Sequence, residues 1–259
     1  VTTGDTARPG VLRDSPATDG WRLAVHDELA STQDGVLAAA RAGEAEGLAI
    51  LALRQTAGRG TQGRPWQSRP GNLALSFLLK PTGSARDLPQ WSLLAAVALA
   101  DAVAAELPPD ATLRLKWPND LLLGGAKCAG ILTEGAPAAG GGIDWLVFGV
   151  GVNLAWAPEL PDRPTACLAA LITPPSPVAF AWRLLAAVDR WRQILAQHGF
   201  EPIRRAWLER GPSPGDPITL KQADGRVLQG SFGGLARDGR LLLCEKGRMV
   251  EVASGEVAG

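Results

Sequence analysis

The 259-residue sequence has no net charge, with 26 Lys plus Arg against 26 Asp plus Glu, and so no bulk field with which to hold a polyanion. A DNA coat, a polybasic membrane anchor and an acidic tail are all disfavoured on that ground. Cysteine is scarce. Cys128, Cys167 and Cys244 are odd in number, far apart and outside any CxxC or His/Cys ligand spacing, which argues against disulfide scaffolding and structural zinc and suits a reducing cytoplasm. No apolar run is long enough to cross a bilayer: the longest, from Trp91 to Leu107, is interrupted by Asp101 and reads as a buried helix. The opening VTTGDTARPGVLRDSP has two prolines and no apolar h-region, so neither a signal peptide nor an anchor is expected there. Lysine is also rare, five against twenty-one arginines, and two of the five, Lys116 and Lys127, lie eleven positions apart. A chain that favours Arg this strongly keeps Lys where a compact point charge is needed.

What is present is an ordinary globular composition, 46% apolar and 20% charged, in a length that allows a main domain with a small appendage. Ser31-Thr32 precede an Ala-rich stretch ending at Ala42-Gly43, which reads as a helix with a hydroxyl cap and a glycine stop. The run Leu48 to Leu53 is of strand length and feeds a glycine-rich loop, Ala57 to Arg64. Asn72 to Leu79 reads as a buried strand, a helix follows from Leu88, and Leu113 to Lys116, Cys128 to Thr133 and Trp145 to Val152 are further strands. Leu184, Val188, Trp191 and Leu195 mark one face of a long helix over Val178 to His198, and a shorter helix runs from Pro202 to Arg210. At Gly211-Pro212-Ser213-Pro214-Gly215 the pattern changes to short strands joined by Asp224-Gly225, Asp238-Gly239 and Lys246-Gly247, a small β module.

Four clusters could carry chemistry. Gly58-x-Gly60-x-x-Gly63 matches the dinucleotide fingerprint literally, but Pro65, Pro70 and Gly71 follow where that fingerprint needs a helix. What remains is either an amide-lined loop that wraps an anion with Arg59 and Arg64 or a basic turn. Lys116-Trp117-Pro118-Asn119-Asp120 is either a bland turn or a site in which Asp120 holds magnesium and Asn119 bonds a base or phosphate. In Lys127-Cys128-Ala129-Gly130-Ile131-Leu132, small residues beside a lysine let a ligand approach the strand, unless Lys127 merely snorkels at the surface. Gly149-Val150-Gly151-Val152-Asn153 clears one strand face of side chains, or marks a bulge.

Taken together and in this order, the four clusters closely resemble the biotin protein ligases. The resemblance runs from about Ala24 to the C-terminus and includes Ser31-Thr32-Gln33 and the terminal Ser254-Gly255-Glu256-Val257. It implies an α/β (α+β) catalytic domain with a mixed β-sheet over residues 21–211, followed by an SH3-like β-barrel over 212–259 and preceded by a disordered or irregular extension, 1–20. The implied activity joins biotin to ATP as biotinyl-5'-adenylate and then transfers biotin to a lysine of a biotin carboxyl carrier protein domain. On this resemblance biotin would meet Ser31, Thr32, Gln33, Gln55, Gly58, Arg59, Gly60, Thr61, Lys127, Gly130 and Gly149. The nucleotide would meet Arg59, Thr61, Arg64, Trp66, Lys116, Trp117, Asn119, Lys127 and Asn153. Lys127 would supply the central catalytic charge with Arg59 and Lys116 around it, and Asp120 would orient a cation or hold Mg2+. A homodimer stays open.

Some members of that family carry an N-terminal helix-turn-helix and bind operator DNA; about twenty residues before the homology are too few for one, so no DNA partner is expected, and no membrane. A lipoate-type acyl ligase and a biotin-binding module without catalysis are the competing readings, and the polar Ser31, Thr32 and Gln55 favour a ureido ring over a dithiolane. One position departs from the family: an arginine usually follows Gly-Arg-Gly, and here Thr61 stands, leaving Arg64 or Arg69 to hold the adenylate.

Overall fold

The computed structural model describes residues 11–13, 20–222 and 224–257. Its main body is an eight-stranded sheet in the order β1-β2-β3-β4-β8-β7-β6-β5. The strands are β1 (Val11–Arg13), β2 (Arg22–Leu29), β3 (Leu48–Gln55), β4 (Leu73–Leu79), β5 (Leu113–Lys116), β6 (Asp120–Leu123), β7 (Ala126–Pro137) and β8 (Ile143–Val152). The β2/β3 pair is parallel and its neighbours are antiparallel, so the sheet is mixed. Of the expected N-terminal extension, residues 11–13 pair with β2 as an edge strand and do not form part of an irregular segment. Its residues 1–10 and 14–19 lie outside the described residues.

Helix α1 (Thr32–Arg41) covers one face of the sheet. Ser31 caps it, its side chain accepting from the Asp34 N–H at 3.4 Å, which satisfies one of the donors that a helix start leaves free. Val36, Leu37 and Ala40 pack with Leu78, Trp145 and Val147. On the other face lie α2 (Leu88–Ala104) and α3 (Pro177–His198), the latter capped by Ser176 and stopped at Gly199, whose φ of 72° suits glycine. With both faces covered, all seven residues of β4 are buried, including Ser76. That strand therefore reads as a continuous apolar run with one polar residue, and the polar residue points into the site described below.

After α4 (Glu201–Leu208) the chain enters a second, antiparallel sheet ordered β12-β11-β10-β9-β13. Its strands are β9 (Pro217–Lys221), β10 (Val227–Leu235), β11 (Leu241–Glu245), β12 (Arg248–Val252) and β13 (Glu256–Val257). The connections fall on the three expected glycine turns, with Gly225, Gly239 and Gly247 all at positive φ. This SH3-like module shares its apolar core with the main body: Phe232 and Leu235 belong to the same buried cluster as Trp207 of α4, the rings of Trp207 and Phe232 being 6.2 Å apart.

Besides β1, two strands of the main sheet escape the sequence reading. β6 begins at Asp120, so Lys116-Trp117-Pro118-Asn119-Asp120 is the turn of a hairpin in which Lys116 and Asp120 face each other. β2 has a half-exposed, charged pattern, with Asp27 and Glu28 both exposed, and no clean alternation marks it.

Candidate active site

The floor of the site is a patch of sheet from which side chains have been removed. Gly130 of β7, Gly151 of β8 and Ala74 of β4 lie side by side in register, as do Leu132, Gly149 and Ser76. A Cβ on Gly149 would sit 2.5 Å from Gln33 Oε1, and one on Gly151 2.3 Å from the Trp66 ring. The glycines are there for the close approach of those two side chains. A small inner chamber of about 50 Å³ lies over this floor, and an outer cleft of about 240 Å³ adjoins it. Gly60, Thr61, Trp66, Asn119 and Lys127 line both.

The inner chamber is walled by a buried polar network. Gln55 Oε1 accepts from the Thr32 N–H at 2.8 Å and the Thr32 hydroxyl at 3.1 Å, and Ser76 Oγ lies 2.9 Å from Thr32 Oγ1 and donates to Gln33 Oε1 at 3.1 Å. Gln33 Nε2 donates to Glu134 at 2.8 Å. Ser31, Thr32 and Gln33 are all nearly inaccessible, so each side chain is fixed by its partners and presents a defined donor or acceptor to the chamber. Arg59 closes the mouth, 2.5 Å from Asp34 and 3.5 Å from Glu134.

The outer cleft is lined by three cations and three carboxylates, already paired. Lys127 Nζ lies 2.6 Å from Asp120 Oδ1, Arg64 donates to Glu256 at 2.7 Å, and Arg163 reaches Asp162 at 2.6 Å and Glu256 at 3.5 Å. The hydrogen bond from Arg64 holds the Glu256 carboxyl below the usual 4.5, with Arg163 and Lys116 acting in the same sense. This ties the glycine-rich loop to the second sheet. A group with a depressed folded pKa stabilises the fold above its unfolded pKa and loses that contribution as pH falls through the folded value. Glu256→Gln is therefore expected to lower the melting temperature at pH 7, with the difference from wild type closing below about pH 4.5; a constant difference down to pH 3 would count against the tie. Two buried polar atoms in or beside the cleft have no partner among the described residues, Trp66 Nε1 and Asn153 Oδ1.

Most of the residues expected from sequence converge on these two chambers, and four do not. Trp117 is 4% exposed and lines a separate cavity with Leu88, Ser92 and Thr133, against α2, because the hairpin turn directs it into the core. Lys116 lines neither chamber; it is half-buried behind Asp120, and burial lowers its pKa. Gly58 is a structural position: its carbonyl accepts from the Trp66 N–H at 2.8 Å, and a Cβ there would lie 2.6 Å from the Trp66 carbonyl oxygen. Arg69, considered as a stand-in for the missing arginine at position 61, instead lies 4.0 Å over the Trp156 ring and outside both chambers. Glu134, Asp34, Asp162, Arg163 and Thr165 were not singled out from sequence, because nothing local distinguishes them; only Glu256 carried a signal, in the terminal Ser254-Gly255-Glu256-Val257.

Comparison with known proteins agrees with this architecture. Residues 30–153 match the Biotin/lipoate A/B protein ligase family, and residues 215–258 match the Biotin protein ligase C terminal domain. A biotin--[acetyl-CoA-carboxylase] ligase of Paracoccus denitrificans is 39% identical over 205 residues, covering 75% of this chain and 82% of that protein. One from Mycobacterium tuberculosis is 33% identical over 273 residues, 99% of this chain and 98% of that protein. The structure of a biotin protein ligase from Aquifex aeolicus in complex with biotin and ATP superposes with a TM-score of 0.74 at 26% identity, covering 91% of this chain and 97% of that one. Matched by family models at residues 30–153 and 215–258, and by such a ligase at 33% identity along nearly the whole length of both chains, the chain belongs to the biotin protein ligase family.

Proposed function

We propose that the protein activates biotin with ATP and transfers it to a lysine of a biotin carboxyl carrier protein domain. The observation that carries this reading is the place of Lys127, which lines both the inner chamber and the outer cleft. The inner chamber suits a ureido ring, which needs fixed hydrogen-bond partners when buried; Ser31, Thr32 and Gln55 offer them. The outer cleft suits the nucleotide, with Asn119 and Asn153 on its wall and the unpartnered Asn153 Oδ1 able to accept from an exocyclic amine. In the first step a carboxylate oxygen of biotin attacks the α-phosphorus and the bond to the β-phosphate oxygen breaks, releasing pyrophosphate. Negative charge gathers on the phosphate oxygens between the chambers, within reach of Lys127, and Arg64 stands in the same cleft. In the second step the carrier amine attacks the acyl carbon, AMP leaves, and the amine gives up its proton.

Magnesium would enter with the nucleotide. Among the described residues no group of three or more His, Cys, Asp or Glu could hold a metal, and Asp120 already accepts from Lys127. That donor set fits an ion held mostly by phosphate oxygens and water, with Asp120 as a supporting carboxylate, and not a resident protein site. Zero net charge supports action on a protein acceptor without DNA, and three free cysteines support a cytoplasmic setting. No helix of the described residues is long and apolar enough to cross a membrane. A lipoate-type activity is disfavoured by the polar inner wall and by the match of residues 215–258 to a biotin ligase C-terminal domain. The test is pyrophosphate release from ATP on adding biotin, with lipoate as comparison; release with lipoate alone would reverse the assignment.

Thr61 lines both chambers, Arg64 is engaged with Glu256, and Arg69 is stacked on Trp156. Among the described residues the other two arginines at the chambers are engaged as well, Arg163 with Asp162 and Glu256 and Arg59 with Asp34 and Glu134, so none stands free over the adenylate position. Thr61→Arg is therefore expected to slow release of bound biotinyl-adenylate by a charge-assisted bond worth on the order of 1.5 to 3 kcal/mol, about tenfold or more in rate. The dissociation rate of radiolabelled adenylate without carrier measures this, and equal rates would mean that position 61 is silent.

A further inference from the structure

Asn72 lines neither chamber, yet it is 1% exposed and spends its side chain on the backbone of two consecutive residues of another segment. Its Nδ2 donates to the Trp156 carbonyl at 2.7 Å, and its Oδ1 accepts from the Ala155 and Trp156 N–H groups at 2.9 and 3.0 Å. Two neighbours reinforce the join. Gly71, at a φ of 94°, approaches so closely that a Cβ would lie 2.8 Å from that of Ala155, and the Arg69 guanidinium stacks on Trp156.

The segment held in this way has no helix or strand of its own, yet Pro158, Leu160, Asp162, Arg163 and Thr165 form one wall of the outer cleft. Its far end is fixed by backbone bonds between Pro164, Lys127 and Ala166, and its middle by the Thr165 hydroxyl on the Pro158 carbonyl. Asn72 supplies the near end. It also stands at the head of β4, whose Ala74 and Ser76 border the inner chamber. An amide suits this place, since its oxygen has two lone pairs for the two N–H groups and its NH2 lies beside it in the same rigid plane for the carbonyl.

We infer that Asn72 is a positioning residue for the nucleotide wall, holding residues 155–165 in the geometry that receives ATP while leaving the biotin chamber to its own network. The inference rests on the ligase reading. Asn72→Asp keeps the two accepted bonds and turns the third against a carbonyl; Arg69→Ala removes the outer stack at an exposed side chain. In the pyrophosphate-release assay Asn72→Asp raises KM for ATP about tenfold and Arg69→Ala about threefold, the scale of one lost or weakened support, while KM for biotin stays within about twofold. A general loss of stability would move both constants together. Unshifted KM for ATP in both variants, or a parallel rise for ATP and biotin, overturns the inference; if Asn72→Asp is insoluble, Arg69→Ala decides it alone. A wild-type protein that releases no pyrophosphate with biotin and ATP overturns the ligase reading and this inference with it, whereas an active wild type with unshifted variants overturns the inference alone.

Discussion

Lys127→Ala is expected to lower the rate of adenylate formation by about 10²- to 10³-fold, the usual cost of removing one preorganised charge from developing phosphate oxygens. The effect should fall on kcat for pyrophosphate release, with biotin binding much less affected, because the inner chamber is held by Thr32, Gln33, Gln55 and Ser76 and not by the lysine. The structure adds a complication to a simple deletion. Lys127 is the partner of Asp120, a residue only 9% exposed, and removing the ammonium leaves that carboxylate without its ion pair. Lys127→Ala with Asp120→Asn separates the two effects: the double variant should recover thermal stability and stay inactive. Wild-type adenylation in either variant would show that Lys127 is a structural cation.

The second large effect concerns the C-terminal sheet. From its turn-rich pattern alone the module reads as separable, and a chain cut at Gly215 as a soluble catalytic domain. The buried cluster that joins Trp207, Ile218, Leu220, Phe232 and Leu235 argues otherwise, as does the Arg204 guanidinium on the Leu235 carbonyl at 2.8 Å. Truncation before β9 would strip Trp207, which is wholly buried, of its Phe232 partner and expose apolar surface on α4. The expected product is aggregated, or lacks a cooperative thermal transition. Phe232→Ala in the full chain should cost about 3 to 5 kcal/mol, read from denaturant unfolding, and should lower the stability of both sheets in one transition. Two transitions, with the first alone shifted, would show independent domains.

How much of this was legible in the sequence follows from the range of the forces involved. The Ser31 cap, the β3 strand running into the glycine-rich loop and the long α3 are local events, governed by residues within a few positions, and each was readable. The glycines of β7 and β8 were readable as a cleared face, although what they clear room for, Gln33 and Trp66, comes from distant parts of the chain. The Lys116 to Asp120 segment shows the limit: both a turn and a ligand site suit that string, and pairing with β7 decides which way Trp117 and Lys116 turn. Arg163 and Asp162 sit in a segment without periodicity, so their role emerges only when residue 256 is brought beside them.

The pairing of each cation in the outer cleft with a carboxylate has a consequence for how an anion would enter. Lys127, Arg64 and Arg163 are long side chains whose free rotation is costly to freeze, and folding has already frozen them against Asp120, Glu256 and Asp162. A triphosphate therefore arrives by exchange of partners, meeting charges already aimed, and each carboxylate it displaces is left seeking a positive neighbour. On the proposed ligase reading, a divalent ion carried by the triphosphate would meet that demand, and the two ligands would then be thermodynamically linked, each raising the other's affinity by the same factor. The resting ion pairs would thus act as a threshold that favours an anion bringing its own counter-charge over a bare phosphate.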